Sequence, residues 1–256
     1  MRIATAALLI AATGARAEPS AWEDVSAALW PDEAMQASGL VSLDAPERAE
    51  DAALVPVTIA TGLPEGDPRH VERITLVVDE NPSPVAAIFS LGEAARVEEI
   101  STRLRVDAYT PIHVVAELSD GSLHVAERFV KASGGCSAPA VKDPEEALAS
   151  LGRMKWRHFP GEGDLAEAQV MIRHPNTTGL QRDPQTFYPI PAHFVQEVVV
   201  SQGGDPILTM EGGISISEDP SFRFTYRATG EPILVEAKDT EGAAFTGEWA
   251  AGPEGS

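Results

Sequence analysis

The apolar positions change period early in the chain and then hold a strand-like rhythm. Trp22, Val25, Ala28 and Leu29 recur at the spacing of one helical face, with Ser20 available as a cap, and predict a short amphipathic helix over 22–36. Runs rich in Val, Ile and Leu follow at 54–60, 71–78 and 85–91, punctuated by Gly, Pro and Asn, and read as short strands. Ile100, Thr102, Leu104 and Val106 alternate with Ser101, Arg103 and Arg105, which predicts a strand with one buried face and both arginines on the other. The most specific local signal is Asp120-Gly121 between the alternating runs 112–118 and 123–130, because Asp-Gly supplies the left-handed backbone that a tight hairpin turn requires.

Residues 131–150, KASGGCSAPAVKDPEEALAS, break this rhythm, with Asp143-Pro144-Glu145-Glu146 marking a short helix start. A second series of strands then runs through 168–173, 194–200, 207–210, 222–227, 233–237 and 243–249, with turns at Gly203-Gly204, Asp219-Pro220, Gly230 and Glu241-Gly242. Many short strands with almost no helix between them predict an all-β chain of antiparallel sandwiches, not a parallel α/β sheet. The expected organisation is a signal peptide over 1–17, a first sandwich over 18–130, a linker carrying the single cysteine over 131–162, and a second sandwich over 163–252.

The signal peptide rests on Arg2, the apolar run Ile3 to Ala12 and the Ala15-Arg16-Ala17 cleavage pattern, and places the mature chain in the periplasm. That run is well short of the roughly 20 residues a membrane span needs, so no membrane anchor is expected. With 43% hydrophobic residues the 256-residue chain has material for packed cores. Its 39 acidic against 19 basic residues give a formal net charge of -20, which repels nucleic acid and anionic lipid. A single cysteine in an oxidising compartment excludes a disulfide framework and marks that thiol as intermolecular or reactive.

That thiol is Cys136, in Ser133-Gly134-Gly135-Cys136-Ser137-Ala138-Pro139. Small residues around it predict an exposed thiol on a flexible arm made by Gly134, Gly135 and Ser137, able to enter a cleft of another protein. A nucleophilic enzyme would hold its thiol beside a histidine, and none follows Cys136 closely. The six histidines, His70, His113, His124, His158, His174 and His193, show no metal-ligand spacing. His113 and His124 flank the hairpin as potential cross-strand neighbours, and with Cys136 they would be the donors of a metal-chaperone reading. No Gly-x-Ser-x-Gly, P-loop or dinucleotide fingerprint is present, so no catalytic residue, cofactor or native metal site is expected.

Two stretches carry a family resemblance. Arg173-His174-Pro175-Asn176-Thr177-Thr178-Gly179-Leu180, Ile190-Pro191-Ala192-His193-Phe194-Val195 and Ser217-Glu218-Asp219-Pro220-Ser221-Phe222-Arg223-Phe224 resemble, in that order, three segments of SoxZ. The first half, leading into Gly134-Gly135-Cys136, is similar to SoxY, which ends in a Gly-Gly-Cys-Gly-Gly arm. The chain thus resembles a SoxY–SoxZ fusion of the kind associated with quinoprotein dehydrogenases. The resemblance implies two immunoglobulin-like sandwiches and a sulfur intermediate held on Cys136. It implies as partners periplasmic sulfur-oxidation enzymes, or a quinoprotein dehydrogenase and c-type cytochromes. The alternative is a non-catalytic adaptor docking on such a dehydrogenase or cytochrome. Here Ser137-Ala138-Pro139 follows the cysteine, so the arm is tethered at both ends and reaches less far than a free tail.

Overall fold

The computed structural model describes residues 20–64, 66–139, 144–159, 161 and 165–250, so the expected signal peptide over 1–17 lies outside the described residues. Helix α1 (Ala21–Leu29) starts in a reciprocal capping box. The Glu23 amide donates to Ser20 Oγ at 3.2 Å, and the Ser20 amide donates to Glu23 Oε2 at 2.9 Å. It stops earlier than its periodicity predicts because Trp30 precedes Pro31, and a residue before proline is driven out of helical geometry.

The first half then forms β1 (Met35–Gln36), β2 (Val41–Asp44), β3 (Val55–Thr61), β4 (Val71–Val78), β5 (Val85–Leu91), β6 (Glu99–Leu104), β7 (Thr110–Leu118) and β8 (Leu123–Val130). Helix α2 (Pro144–Ala149) leads into β9 (Met154–Phe159), β10 (Leu165–Ile172), β11 (Val195–Gln202), β12 (Asp205–Gly212), β13 (Ser221–Arg227), β14 (Ile233–Asp239) and β15 (Ala244–Trp249). The β7–β8 hairpin forms as expected, with Gly121 at φ +79° in its turn. In β6, Ile100, Thr102 and Leu104 face inward as the alternation predicts.

The fold is all-β and immunoglobulin-like, but its two halves share both sheets. A nine-stranded sheet runs β1-β8-β7-β4-β5-β12-β11-β14-β15, and a six-stranded sheet runs β2-β3-β6-β13-β10-β9. The halves join edge to edge through antiparallel β5·β12, from Leu91 opposite Leu208 to Ala87 opposite Gly212, and through β6·β13 at Ser101 opposite Arg223. Each half thereby covers a strand edge that the other would otherwise leave unpaired. The core crosses the seam as well: Phe89 packs edge-on against Phe222 at 6.1 Å between centroids, and both are fully buried. Burial of each such ring is worth about 1.5–3 kcal/mol.

The span 131–162, expected as linker, contains α2 and the whole of β9. Strand β9 escapes the sequence reading because it is an outer strand whose Lys155 and Arg157 point to solvent, diluting its apolar signal. Its Trp156 stacks on Trp249 of β15 at 5.8 Å and closes that end of the sandwich.

Candidate functional site

Cys136 lies where the first half ends and the second begins to grip it. After β8 the chain bridges Lys131 to Arg48, buries Ala132, and turns through Gly134 at φ +77°. The connection from β6 to β7 receives this turn. The Gly134 amide donates to the Asp107 carbonyl at 2.8 Å, the Gly135 amide to the Val106 carbonyl at 3.0 Å, and the Cys136 amide to Asp107 Oδ1 at 3.2 Å. Gly135 is required by close approach: a Cβ there would stand 2.0 Å from the Ala52 carbonyl oxygen and 2.7 Å from that of Val106.

The second half holds the other side. Thr178 Oγ1 donates to the Cys136 carbonyl at 2.6 Å, and Gln181 Nε2 donates to the Ala138 carbonyl at 2.9 Å. Gln181 Oε1 in turn accepts the Thr178 backbone amide at 3.0 Å, so the Gln181 side chain also braces the main chain that carries Thr178. Arg105 Nη1 donates to the Gly135 carbonyl at 3.1 Å. Where the strand alternation points Arg105 to solvent, the structure buries it completely, because the chain leaves β6 at Leu104 and passes beneath the second half, with the Arg105 amide bonded to the Ser215 carbonyl.

The thiol expected to be exposed on a flexible arm is therefore buried, with 0 % of Cys136 accessible, while Ser137 beside it is exposed. Gly134, Gly135 and Ser137 all take part in the hydrogen-bonded turn. Burial, then the carboxylate of Asp107, push the thiol pKa up to about 12 against the opposing pull of Arg105. In this closed arrangement the group is a protonated, poorly nucleophilic thiol.

The histidines separate. His113 sits opposite Glu127 and His124 opposite Ala116, so they are not cross-strand neighbours. His113 bonds Asp79 at 2.9 Å and Glu127 at 3.1 Å and stacks on Trp22, while His124 bonds Ser38 at 2.6 Å, and neither ring joins Cys136. The structure instead brings together His174, His193 and Asp239, a cluster that sequence spacing did not reveal although both histidines stand in the SoxZ-like segments. His193 Nε2 lies 2.8 Å and His174 Nε2 3.6 Å from Asp239 Oδ2. His174 Nδ1 accepts the Asn176 amide at 3.1 Å, which fixes the proton of the neutral ring on Nε2, facing the carboxylate. A metal on Nε2 would have to displace that proton and leave a buried amide facing an N–H, so the arrangement fits a proton-bearing cluster better than a cation site. Burial, and next the neighbouring His193, lower the His174 pKa to about 4.

The geometry defines a β-sandwich protein in which one half presents a cysteine-bearing turn and the other half clasps it. Comparison with known families gives that class its identity: the family described as sulfur oxidation protein SoxY matches residues 26–136, ending on Cys136, and the family described as sulphur oxidation protein SoxZ matches residues 155–250. The chain belongs to both, as a SoxY–SoxZ fusion. Among solved structures, the sulfur carrier protein SoxY from Chlorobium limicola f thiosulfatophilum is 33% identical over 43% of this chain and 94% of that one, with a TM-score of 0.36. A superoxide reductase (neelaredoxin) from Ignicoccus hospitalis is 15% identical over 36% of this chain and 78% of that one, with a TM-score of 0.30. No curated protein matches the chain.

Proposed function

We propose that this protein is a periplasmic covalent carrier whose Cys136 thiol holds a sulfur intermediate and presents it to sulfur-oxidation enzymes. The observation that carries the reading is the position of the thiol: the chain's one cysteine stands at the last residue of the SoxY match and is gripped by Thr178 and Gln181 of the SoxZ half. Carriage requires the turn over 134–138 to leave its seat, since a thiol with 0 % accessibility meets no partner. Closed, the thiol is shielded; released, it returns toward the ordinary cysteine pKa and forms thiolate.

Loading then follows ordinary thiolate chemistry. Attack on a disulfide-like sulfur donor forms a new S–S bond on Cys136 and expels the donor's other sulfur as an anion, with no net oxidation. Loading from a thiol-level donor removes two electrons, which c-type cytochromes among the proposed partners would accept singly. The carrier supplies position and protection, and its partners supply catalysis.

Intact-mass measurement on protein taken from the periplasm tests the reading. Reducible adducts on wild type that vanish in Cys136→Ser support it, and a single unmodified mass contradicts it. The burial of Cys136 favours one other reading, an adaptor for a quinoprotein dehydrogenase or cytochrome in which the thiol is structural. Under it, Cys136→Ser leaves partner binding and sulfur-dependent growth intact.

A further inference from the structure

We infer that the tongue over 181–190 is the surface by which partner enzymes recognise this carrier, with Phe187 and Tyr188 seated in an uncharged, apolar socket beside the cleft that receives Cys136. This rests on the carrier reading and specifies how a partner docks. The tongue is braced as a tight hairpin. Arg182 bridges Pro189, the Ile190 amide donates to the Gln181 carbonyl at 2.9 Å, and the Asp183 amide donates to the Tyr188 carbonyl at 2.9 Å. Asp183 Oδ1 closes the tip by accepting the Gln185 amide at 2.9 Å and the Thr186 amide at 2.6 Å, and Arg182 Nη1 donates to the Phe187 carbonyl at 3.1 Å. That bracing holds two large rings in water: Phe187 is 72% and Tyr188 74% exposed, more than any other large hydrophobic residue among the described ones. Phe187 also takes φ +60°, a left-handed conformation that suits Asn or Gly better than an aromatic residue, so its ring is displayed against both solvation and backbone preference. Exposed apolar surface of this kind marks an interaction site.

Charge indicates what covers it. In a chain with 39 acidic residues, the span 176–195 holds one carboxylate, Asp183, and one cation, Arg182, and both are turned onto the tongue's own backbone. Aromatic residues on a face without free charge match the core of a protein interface, where charges are depleted and aromatics concentrate. Position indicates which partner. Gln181 at the base of the tongue holds the Ala138 carbonyl and Thr178 holds that of Cys136, so a protein that takes the turn over 134–138 lands against the tongue. A partner that draws the tongue aside also loosens the clasp on the thiol.

The test titrates purified protein into periplasmic extract from cells deleted for it, with thiosulfate as sulfur donor and oxidised cytochrome c as electron acceptor. The initial rate of adduct formation on Cys136 is read by intact mass. The Cys136 thiol and thiosulfate give Cys136–S–S–SO3−, one proton and two electrons, which two molecules of cytochrome c accept. Replacing both rings, by Phe187→Asn with Tyr188→Ser, keeps a residue suited to the left-handed position and removes ring atoms that lie mostly in water. The fold and the protection of Cys136 from iodoacetamide should therefore match wild type. The carrier concentration giving half the maximal rate should rise about thirtyfold or more, as for the loss of a hot-spot aromatic, with the maximal rate unchanged. Leu148→Ser, which trims an exposed leucine outside the tongue, should change neither. An unchanged half-maximal concentration in the double variant, or an equal rise in Leu148→Ser, would overturn the inference. Absence of loading on wild type at every concentration would instead defeat the carrier reading, an outcome distinct from both.

Discussion

Thr178→Val removes a hydroxyl while keeping a β-branched side chain of similar size, and so breaks the clasp between the SoxZ half and the cysteine turn, together with the bond that the same hydroxyl accepts from the Leu180 amide at 3.1 Å within the SoxZ half. In the closed state the Cys136 carbonyl has Thr178 Oγ1 at 2.6 Å, and the residue is 0 % accessible. Deleting the donor leaves a buried carbonyl unsatisfied, at a cost of about 1–3 kcal/mol. That cost falls on the closed state alone, because a released turn is solvated, and it raises the opening equilibrium about 5–150-fold. Iodoacetamide labelling of native protein at pH 8 reports the opening. With the closed thiol at about 12, against an ordinary 9.0, its thiolate fraction is lowered by three pH units, about 1,000-fold, and labelling proceeds through the open state. Thr178→Val should label at least fivefold faster than wild type with an unchanged unfolded-state rate, and Thr178→Ser, which retains the donor, should stay close to wild type. Equal rates for wild type and Thr178→Val, or a Thr178→Ser variant as fast as Thr178→Val, would refute the clasp.

Gly135→Ala places a Cβ 2.0 Å from the Ala52 carbonyl oxygen, which is backbone and has nowhere to retreat. It should keep the β-sheet circular dichroism and expose Cys136 to alkylation at nearly the rate of an unfolded peptide; a protected thiol in that variant would mean the turn is held elsewhere. His174 is held neutral in the folded state, with a pKa lowered from 6.5 to about 4. The unfolded chain therefore binds this proton first as pH falls, and stability drops on the order of 3 kcal/mol between pH 6.5 and 4. Urea midpoints across that window should fall in wild type and fall less in His174→Gln, and parallel curves would contradict the assignment. Cys136 has the opposite sign: its raised pKa makes folding favour the protonated thiol, so stability is lost as pH rises from about 9 toward about 12, a loss absent from Cys136→Ser.

Local patterns carried the strands well. Asp120-Gly121 gave the hairpin because the turn is decided by two residues, and alternation in β6 gave its inward face because side-chain period two follows from backbone geometry. The pairing of β5 with β12 and of β6 with β13 was not legible, since no local residue specifies a partner edge so far along the chain. The cysteine was legible as the chemical centre, but its setting was not. Glycine, serine and alanine describe what the turn is free to do alone, whereas Asp107, Arg105, Thr178 and Gln181 decide what it does in the fold. Arg105 shows the limit most plainly. Its alternation with Leu104 and Val106 assigned it to solvent, and only the path of the chain beyond β6, under Ser215, buries it beside the thiol.

Sulfur carried on a shielded Cys136 would be read from the mass of its peptide, in protein isolated from sulfur-oxidising cells under acid quench. Cys136-containing peptides should bear sulfur adducts that dithiothreitol removes, with their proportion rising when an oxidisable sulfur compound is supplied. A Cys136 peptide found only as the free thiol under both conditions would contradict it.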